Sequence, residues 1–330
     1  MKPFKFKRAS SIGEAIEEIA KNPKAKFIAG GTNILDLMKE GIESPDELVD
    51  ISKLPLAQIR TLPNGNLSIG ALARNTETAN HQIIRQKYPL LAQAILSGAS
   101  QQIRNMATNG GNLMQRTRCP YFYDISMPCN KRNLGSGCAA LEGLNRTHAI
   151  LGWSEKCVSV YPGDMAVALT ALDASVKIQS KNAERIVKIS DFFRLPENDP
   201  EKDNDLNHAE LITSIEIPKN NFANRSYYLK IRDRASYAFA LISVAVGIEL
   251  EGGKIKDVRI ALGGVAHKPW RANDAEKIII GKEPSENIFR AAAEEEMKKA
   301  RPLTHNKFKV ELTKRAIVRA LLNALNAKQA

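Results

Sequence analysis

The chain has 330 residues, 43% hydrophobic and 25% charged, so it can bury ordinary cores, and its length points to about two domains. No apolar run reaches the ~18 residues of a membrane span, and the basic start MKPFKFKRASSIGEAIEEIAK has neither an apolar core nor a twin-arginine pair, so no export signal is read there. A formal net charge of +12 suits an anionic cofactor or an acidic partner, whereas 6% aromatics and the lack of any nucleic-acid motif argue against nucleic acid.

Ser11 and Glu14 predict a capping box, and Ile12, Ile16 and Ile19 one apolar helical face through about Lys21. Residues 26–29 read as a short strand that runs into Gly30-Gly31-Thr32-Asn33, with a helix over 34–38 and a strand over 47–51. Glycines let a backbone approach an anion closely, and a helix start offers free N–H groups, so this turn suits phosphate. By itself the turn is neither a dinucleotide fingerprint nor a Walker loop, and an ordinary tight turn explains it equally well. A strand over 67–72 follows, then helices over 75–86, with Asn75 as cap, and 89–96. Thr108-Asn109-Gly110-Gly111-Asn112 makes a second glycine turn of similar character, and two such turns point to an extended diphosphate.

Residues 105–164 hold all four cysteines, Cys119, Cys129, Cys138 and Cys157, separated by nine, eight and eighteen residues. Free core thiols prefer apolar surroundings, but Cys119 follows Arg116 and Arg118, and Cys129 precedes Lys131 and Arg132. Disulfide frameworks belong mainly to small secreted chains. Structural zinc favours close cysteine pairs, which are absent, while a 4Fe-4S cubane takes four thiolates at spacings that vary. All four readings stay open on spacing alone. Residues 116–152 lack periodicity and read as a long functional loop in which Pro120, Pro128, Gly135 and Gly137 set the turns.

After it, Asp164 reads as the N-cap of an apolar helix over 165–172. Strands are expected at 175–179, 185–189 and 211–217, with an acidic loop over 196–207 between the last two. A domain boundary is placed near 218–225. Strands over 227–231, 238–250 and 254–262 follow, the last two joined at Gly252-Gly253. Helices are expected from Ser285 to about 300 and along Val310, Ile317, Leu321 and Leu325. Residues 298–330 carry nine basic side chains against the single Glu311, which reads as a solvated helical face or as a docking face for an acidic partner.

With these pieces placed, the chain resembles the FAD-binding subunits of the molybdenum hydroxylases, the xanthine dehydrogenase and aldehyde oxidase family. The resemblance rests on FIAGGTNILDLMK and IRNMATNGGNL, similar to the family's two FAD loops, and on PGDMAVALTALDA, ELITSIEIP and YYLKIRDRASYAFALISVAV. It covers nearly the whole chain. Most members pass directly from the second glycine turn to the aspartate helix; here about residues 113–160 are inserted. Members with such an insert hold an extra 4Fe-4S cluster. The run RTRCPYFYD…CNKR…GSGC…C is most similar to that of the FAD subunits of bacterial periplasmic aldehyde oxidases, and less to that of hydroxybenzoyl-CoA reductase.

The resemblance implies an α+β fold, with a PCMH-type FAD-binding domain of two α/β subdomains over 1–220. A C-terminal domain of antiparallel sheet plus helices, like that of CO dehydrogenase flavoproteins, follows over 221–330. It implies FAD contacts from Lys26, Phe27, Ile28, Ala29, Gly30, Gly31, Thr32, Asn33 and Ile34, closed from the other side by Thr108, Gly111 and Asn112. Asp164 would accept a bond from an FAD hydroxyl, Ile212 would pack near the flavin or adenine, and Lys230 would lie near the isoalloxazine. Cys119, Cys129, Cys138 and Cys157 would ligate the cluster. No catalytic residue is expected.

The implied role is the FAD and 4Fe-4S electron-transfer subunit of a heterotrimeric molybdenum-containing aldehyde oxidoreductase. Its partners would be a large molybdenum-cofactor subunit, a small 2Fe-2S subunit and an external acceptor. The compartment would be periplasmic by co-export with a signal-bearing partner, or else cytoplasmic. Other readings are a xanthine dehydrogenase or hydroxybenzoyl-CoA reductase type of FAD subunit, a free-standing flavin oxidase, and a zinc-stapled RNA adaptor. Neither His81 nor His148 fits a flavin-linking motif, which argues against the oxidase.

Overall fold

The computed structural model describes residues 1–327. The first sheet is parallel, in the order Lys5–Arg8, Glu47–Asp50, Ala25–Ile28. Parallel neighbours need crossovers, and the helices Ile12–Lys21 and Ile34–Lys39 lie in the connecting segments. The first of these starts at the predicted cap, where Ser11 Oγ accepts from Glu14 N at 3.1 Å; the reciprocal half of the box is shifted by one residue, because Glu14 accepts from Ser10 N at 2.8 Å and not from Ser11 N. Ala15, Ile16 and Ile19 face the core beside Val49.

The second sheet has five strands, all neighbours antiparallel, in the order Ile59–Thr61, Leu67–Gly70, Leu211–Ile217, Ser175–Gln179, Glu184–Lys188. The helices Pro89–Ser97 and Asp164–Ala171 share its core, and every residue of Asp164–Ala171 is buried. A helix apolar all round belongs inside a protein. The third sheet is antiparallel, in the order Trp270–Arg271, Lys254–Gly263, Ile242–Glu251, Ser226–Ile231. Alternation along Ile242–Glu251 sends Val244, Val246 and Ile248 toward a core shared with the helices Asn273–Ile279, Glu286–Met297 and Phe308–Leu325. Ala245 points the other way, into the core around Asp164–Ala171. A strand with period two is thereby buried on both faces.

Several expected elements differ. The helix expected over 75–86 is two, Asn75–Asn80 and Gln82–Lys87, because His81 is extended (φ −65°, ψ 132°). Arg74, not Asn75, holds the N-cap position; Asn75 instead donates to Asn109 Oδ1 at 2.9 Å. Thr108 through Asn112 is no free turn: Thr108 caps the five-residue helix Asn109–Leu113. The N-cap of Asp164–Ala171 is Gly163, and the Asp164 carboxylate makes no cap bond because it is engaged elsewhere. The strand expected from 238 begins at Ile242, since residues 232–241 loop out. Short elements without a strong local pattern were missed: Lys5–Arg8, Ile59–Thr61, Gln101–Met106 and Asn273–Ile279.

The inserted segment contains one short helix, Pro120–Tyr123, and otherwise turns. Polar staples take the place of regular structure. Arg132 donates to the carbonyls of Tyr121, Phe122 and Asp124 at 2.7–2.8 Å and to that of Met127. Asn130 Oδ1 accepts from Gly135 N and Gly137 N at 2.9 and 3.0 Å. Both glycines have positive φ, 92° and 97°, the left-handed region that a Cβ resists. The basic C-terminal stretch is partly internal: Lys309 is fully buried. Its last three residues, 328–330, lie outside the described residues. No helix among the described residues is long and apolar enough to cross a membrane.

Candidate functional site

Two cavities adjoin along the glycine segments. The larger, about 700 Å³, is walled by Thr32, Asn33, Gly111, Asn112, Asp164 and Lys230 among others. The smaller, about 490 Å³, is walled by Lys26, Phe27, Ala29, Gly30, Gly31, Thr32, Asn33, Ile34, Thr108, Gly111 and Ile212. Thr32, Asn33 and Gly111 line both. Every residue expected at FAD therefore borders one cavity or the other, except Ile28, which borders neither.

The two glycine segments press against each other. A Cβ on Gly30 would stand 2.0 Å from the Met106 carbonyl oxygen, which backbone cannot vacate cheaply. Gly31 takes φ 71°. A Cβ on Gly111 would meet Thr108 Oγ1 at 3.0 Å, a milder crowding. The N–H groups of Gly31, Thr32 and Asn33 donate to no main-chain acceptor among the described residues. Asn33 accepts from Arg116 N at 3.1 Å through Oδ1, while its buried Nδ2 has no partner among the described residues. An orphaned buried donor costs about 1–3 kcal/mol unless something accepts from it. The residues that carry these donors line the cavities, and Thr32 and Asn33 line both, which fits an anionic, extended ligand such as the diphosphate of FAD.

Asp164 is 8% exposed on its side chain and Lys230 5%. Lys230 Nζ donates to Asp164 Oδ2 at 2.8 Å and to Ser97 O at 3.0 Å, and Tyr228 OH donates to Asp164 Oδ1 at 2.7 Å. Burial and the Asp164 charge push the Tyr228 hydroxyl well above its usual range, so it stays a donor. The Lys230 charge is thus balanced inside the cavity wall. Sequence reading missed Tyr228, although Tyr228 and Lys230 share a strand face by the period of two.

The four cysteines line one small cavity with Tyr121, Phe122, Lys131 and Ser159. All four are free thiols, so no disulfide forms. Backbone N–H groups of Tyr121 and Phe122 favour the thiolate of Cys119, and those of Ala140 and Val158 that of Cys138. Cys119 is pushed up to about 12 by burial, opposed by those N–H groups and reinforced by Cys157 and Cys129. Burial and neighbouring cysteines raise Cys138 as well. A compensating metal charge would reverse this, because coordination deprotonates a thiol. Among the described residues no three Cys, His, Asp or Glu side chains are grouped so as to hold a metal ion. In a cubane each thiolate binds a different iron, so its sulfurs surround a body instead of meeting at one ion. The donor set and its N–H partners fit such a group.

Charges pin the acidic segment onto this insert. Asp203 accepts from Arg116 Nε at 2.9 Å and Lys131 Nζ at 2.6 Å. Burial alone would raise Asp203, but Lys131 and Arg116 outweigh it and hold it at about 2. His148 is buried with Nε2 3.1 Å from Cys119 Sγ. Burial, with the Lys309 charge behind it, lowers His148 to about 4. Cys119 and His148 border the larger cavity too, so Cys119 stands in the wall between it and the cysteine cavity.

Comparison with known proteins agrees with this geometry. Residues 2–220 match the FAD binding domain in molybdopterin dehydrogenase, and residues 227–324 the CO dehydrogenase flavoprotein C-terminal domain. The chain is 46% identical over 98% of its length to the aldehyde oxidoreductase FAD-binding subunit PaoB of Escherichia coli K12, covering 99% of that protein. It is 31% identical to the glyceraldehyde dehydrogenase medium chain of Sulfolobus acidocaldarius, over 88% of this chain and 85% of that one. Among solved structures, quinoline 2-oxidoreductase of Pseudomonas putida 86 superposes with a TM-score of 0.76 at 25% identity, covering 99% of each chain. Carbon monoxide dehydrogenase of Hydrogenophaga pseudoflava shares the fold, with a TM-score of 0.78 at 24% identity over 99% of this chain and 100% of that one.

Proposed function

The chain belongs to the family of FAD-binding chains of molybdopterin dehydrogenases, and from that premise we propose that it is the FAD-binding electron-transfer subunit of a molybdenum-containing aldehyde oxidoreductase. It works with a large molybdenum-cofactor subunit and a small 2Fe-2S subunit, and passes electrons to an external acceptor. The observation that carries this reading is the meeting of two cavities at Thr32, Asn33 and Gly111, between two glycine segments in close contact. The aldehyde assignment rests on the likeness to the Escherichia coli subunit over nearly the full length.

FAD, when bound, supplies both one- and two-electron redox chemistry. The N–H groups of Gly31, Thr32 and Asn33 would hold its diphosphate. Thr108, Gly111 and Asn112 close the other side. Phe27, Ile34 and Ile212 in the smaller cavity would pack against one ring system, and the larger cavity has room for the other. Asp164, fixed by Lys230 and Tyr228, presents carboxylate oxygen to a ligand hydroxyl. Division into a 1–220 FAD-binding part and a 221–330 C-terminal part completes the reading.

Cys119, Cys129, Cys138 and Cys157 hold a 4Fe-4S cluster. Support comes from four cysteines around one cavity, two of them with backbone N–H groups that favour their thiolates. The complex is periplasmic by co-export with a signal-bearing partner subunit. Fractionation of cells with and without that partner's signal tests this. For the function, purified chain should carry flavin and show no aldehyde turnover by itself with artificial acceptors. Assembled with its partners it should support acceptor reduction, and a flavin-stripped assembly should not. Aldehyde turnover by the lone chain would overturn the proposal.

A further inference from the structure

Resting on the cluster reading above, we propose that His148 is a positioning residue for the cluster. Its Nε2–H donates a hydrogen bond to the Cys119 sulfur and so raises the reduction potential of the iron held there. Nε2 lies 3.1 Å from Cys119 Sγ, and the ring is buried against Tyr121 with centroids 6.2 Å apart. Nδ1 has no partner. A proton on Nδ1 would leave a buried donor unmet, whereas a proton on Nε2 meets the sulfur, and a ligating thiolate can only accept.

The ring is held from outside the insert. Lys309, fully buried in the helix Phe308–Leu325, donates to His148 O at 2.8 Å and also to Gly264 O and Thr147 O. Asn306 Nδ2 donates to His148 O at 3.2 Å and Ala149 O at 3.1 Å. Asn145 Oδ1 accepts from His305 N at 2.9 Å. Three residues of the C-terminal segment therefore fix the turn carrying His148, so the donor is preorganised. Hydrogen bonds to cluster sulfurs favour the reduced, more negative state and set the potential within a cluster type. Cys119 alone of the four cysteines borders the larger cavity, so the bond acts at the sulfur nearest the expected flavin.

The experiment compares wild type, His148→Leu and His148→Gln as full-length loaded protein. Iron, sulfide and flavin are quantified, and potentials are measured by redox titration followed by electron paramagnetic resonance. The expected result is a lower cluster potential in His148→Leu at unchanged iron content, an unchanged flavin potential, and recovery toward wild type in His148→Gln, whose amide restores a donor. Equal cluster potentials in loaded wild type and His148→Leu overturn the inference while leaving the cluster reading intact. Wild type without iron and sulfide overturns both. If His148→Leu fails to load, His148→Gln decides: a loaded protein near the wild-type potential supports the bond, and one that is shifted or empty removes it.

Discussion

The glycine cleft and the cysteine insert sit side by side and are built on opposite principles. The cleft is framed by regular elements, with strands and short helices ending at glycines, and it encloses open volume. The insert has almost no regular structure and leaves little space. Its shape is held by side chains that replace a hydrogen-bonded ladder: Arg132 on four carbonyls, Asn130 on two N–H groups, Arg116 and Lys131 on Asp203. A loop can be as rigid as a sheet when its backbone polar groups are met by fixed, buried side chains. The cleft should therefore fail through backbone crowding, and the insert through loss of single polar or thiol groups.

The largest expected effect is a double dissociation. Gly30→Ala drives a methyl into the Met106 carbonyl and should empty the chain of FAD. Cys129→Ser should empty it of iron and leave FAD bound. Flavin and iron assays on both variants are the check, and joint loss of both groups in either variant would show that the two regions are one unit. Gly111→Ala, facing only Thr108 Oγ1, should weaken FAD binding less than Gly30→Ala.

Next comes the buried pair in the cleft wall. Asp164→Ala leaves the Lys230 ammonium unpaired and should cost about 3–5 kcal/mol of stability. Adding Lys230→Met should recover part of that loss. Chemical denaturation of the three variants measures it, and additive losses would mean that the pair is not coupled.

The boundary of the insert has a pH signature. Burial, with help from Lys131, holds His267 at about 4 against an ordinary 6.5. Below 6.5 the unfolded chain takes a proton on this ring that the folded chain refuses until about pH 4. The unfolded state therefore binds more protons across that window, and stability falls as the pH drops through it, by up to about 3 kcal/mol. His148 is held at about 4 as well and adds to the same window, so His267→Asn should lessen the acid loss of the denaturation midpoint without abolishing it; an unchanged slope would place the acid sensitivity elsewhere.

The smallest effect is expected where the insert touches the loop over 232–241. Arg146 and Asp233 form an exposed two-bond pair at 2.8 and 2.9 Å. Exposed pairs contribute little, so Arg146→Ala should change stability by under ~1 kcal/mol. A larger loss would mean that this contact orders the loop bordering the larger cavity.

The sequence by itself carried what depends on near neighbours. Ser11 with Glu14, the two glycine segments and the period of two in the third sheet are signals of local sterics and local hydrogen bonding, and they located the cleft. The grouping of four cysteines marked the insert for the same reason: chemistry written in residue type needs no fold to be seen. The tertiary structure decided which polar groups are buried and against what. Asp164 read as a helix cap because its neighbours in sequence favour that; its partners, Tyr228 and Lys230, lie more than sixty residues away. Lys309 read as one more surface charge in a basic stretch, yet it is buried against carbonyls at 147, 148 and 264. His148 likewise has no local pattern to single it out. Burial of a charge is settled when distant segments close over it, and that closure depends on contacts that sequence spacing does not encode.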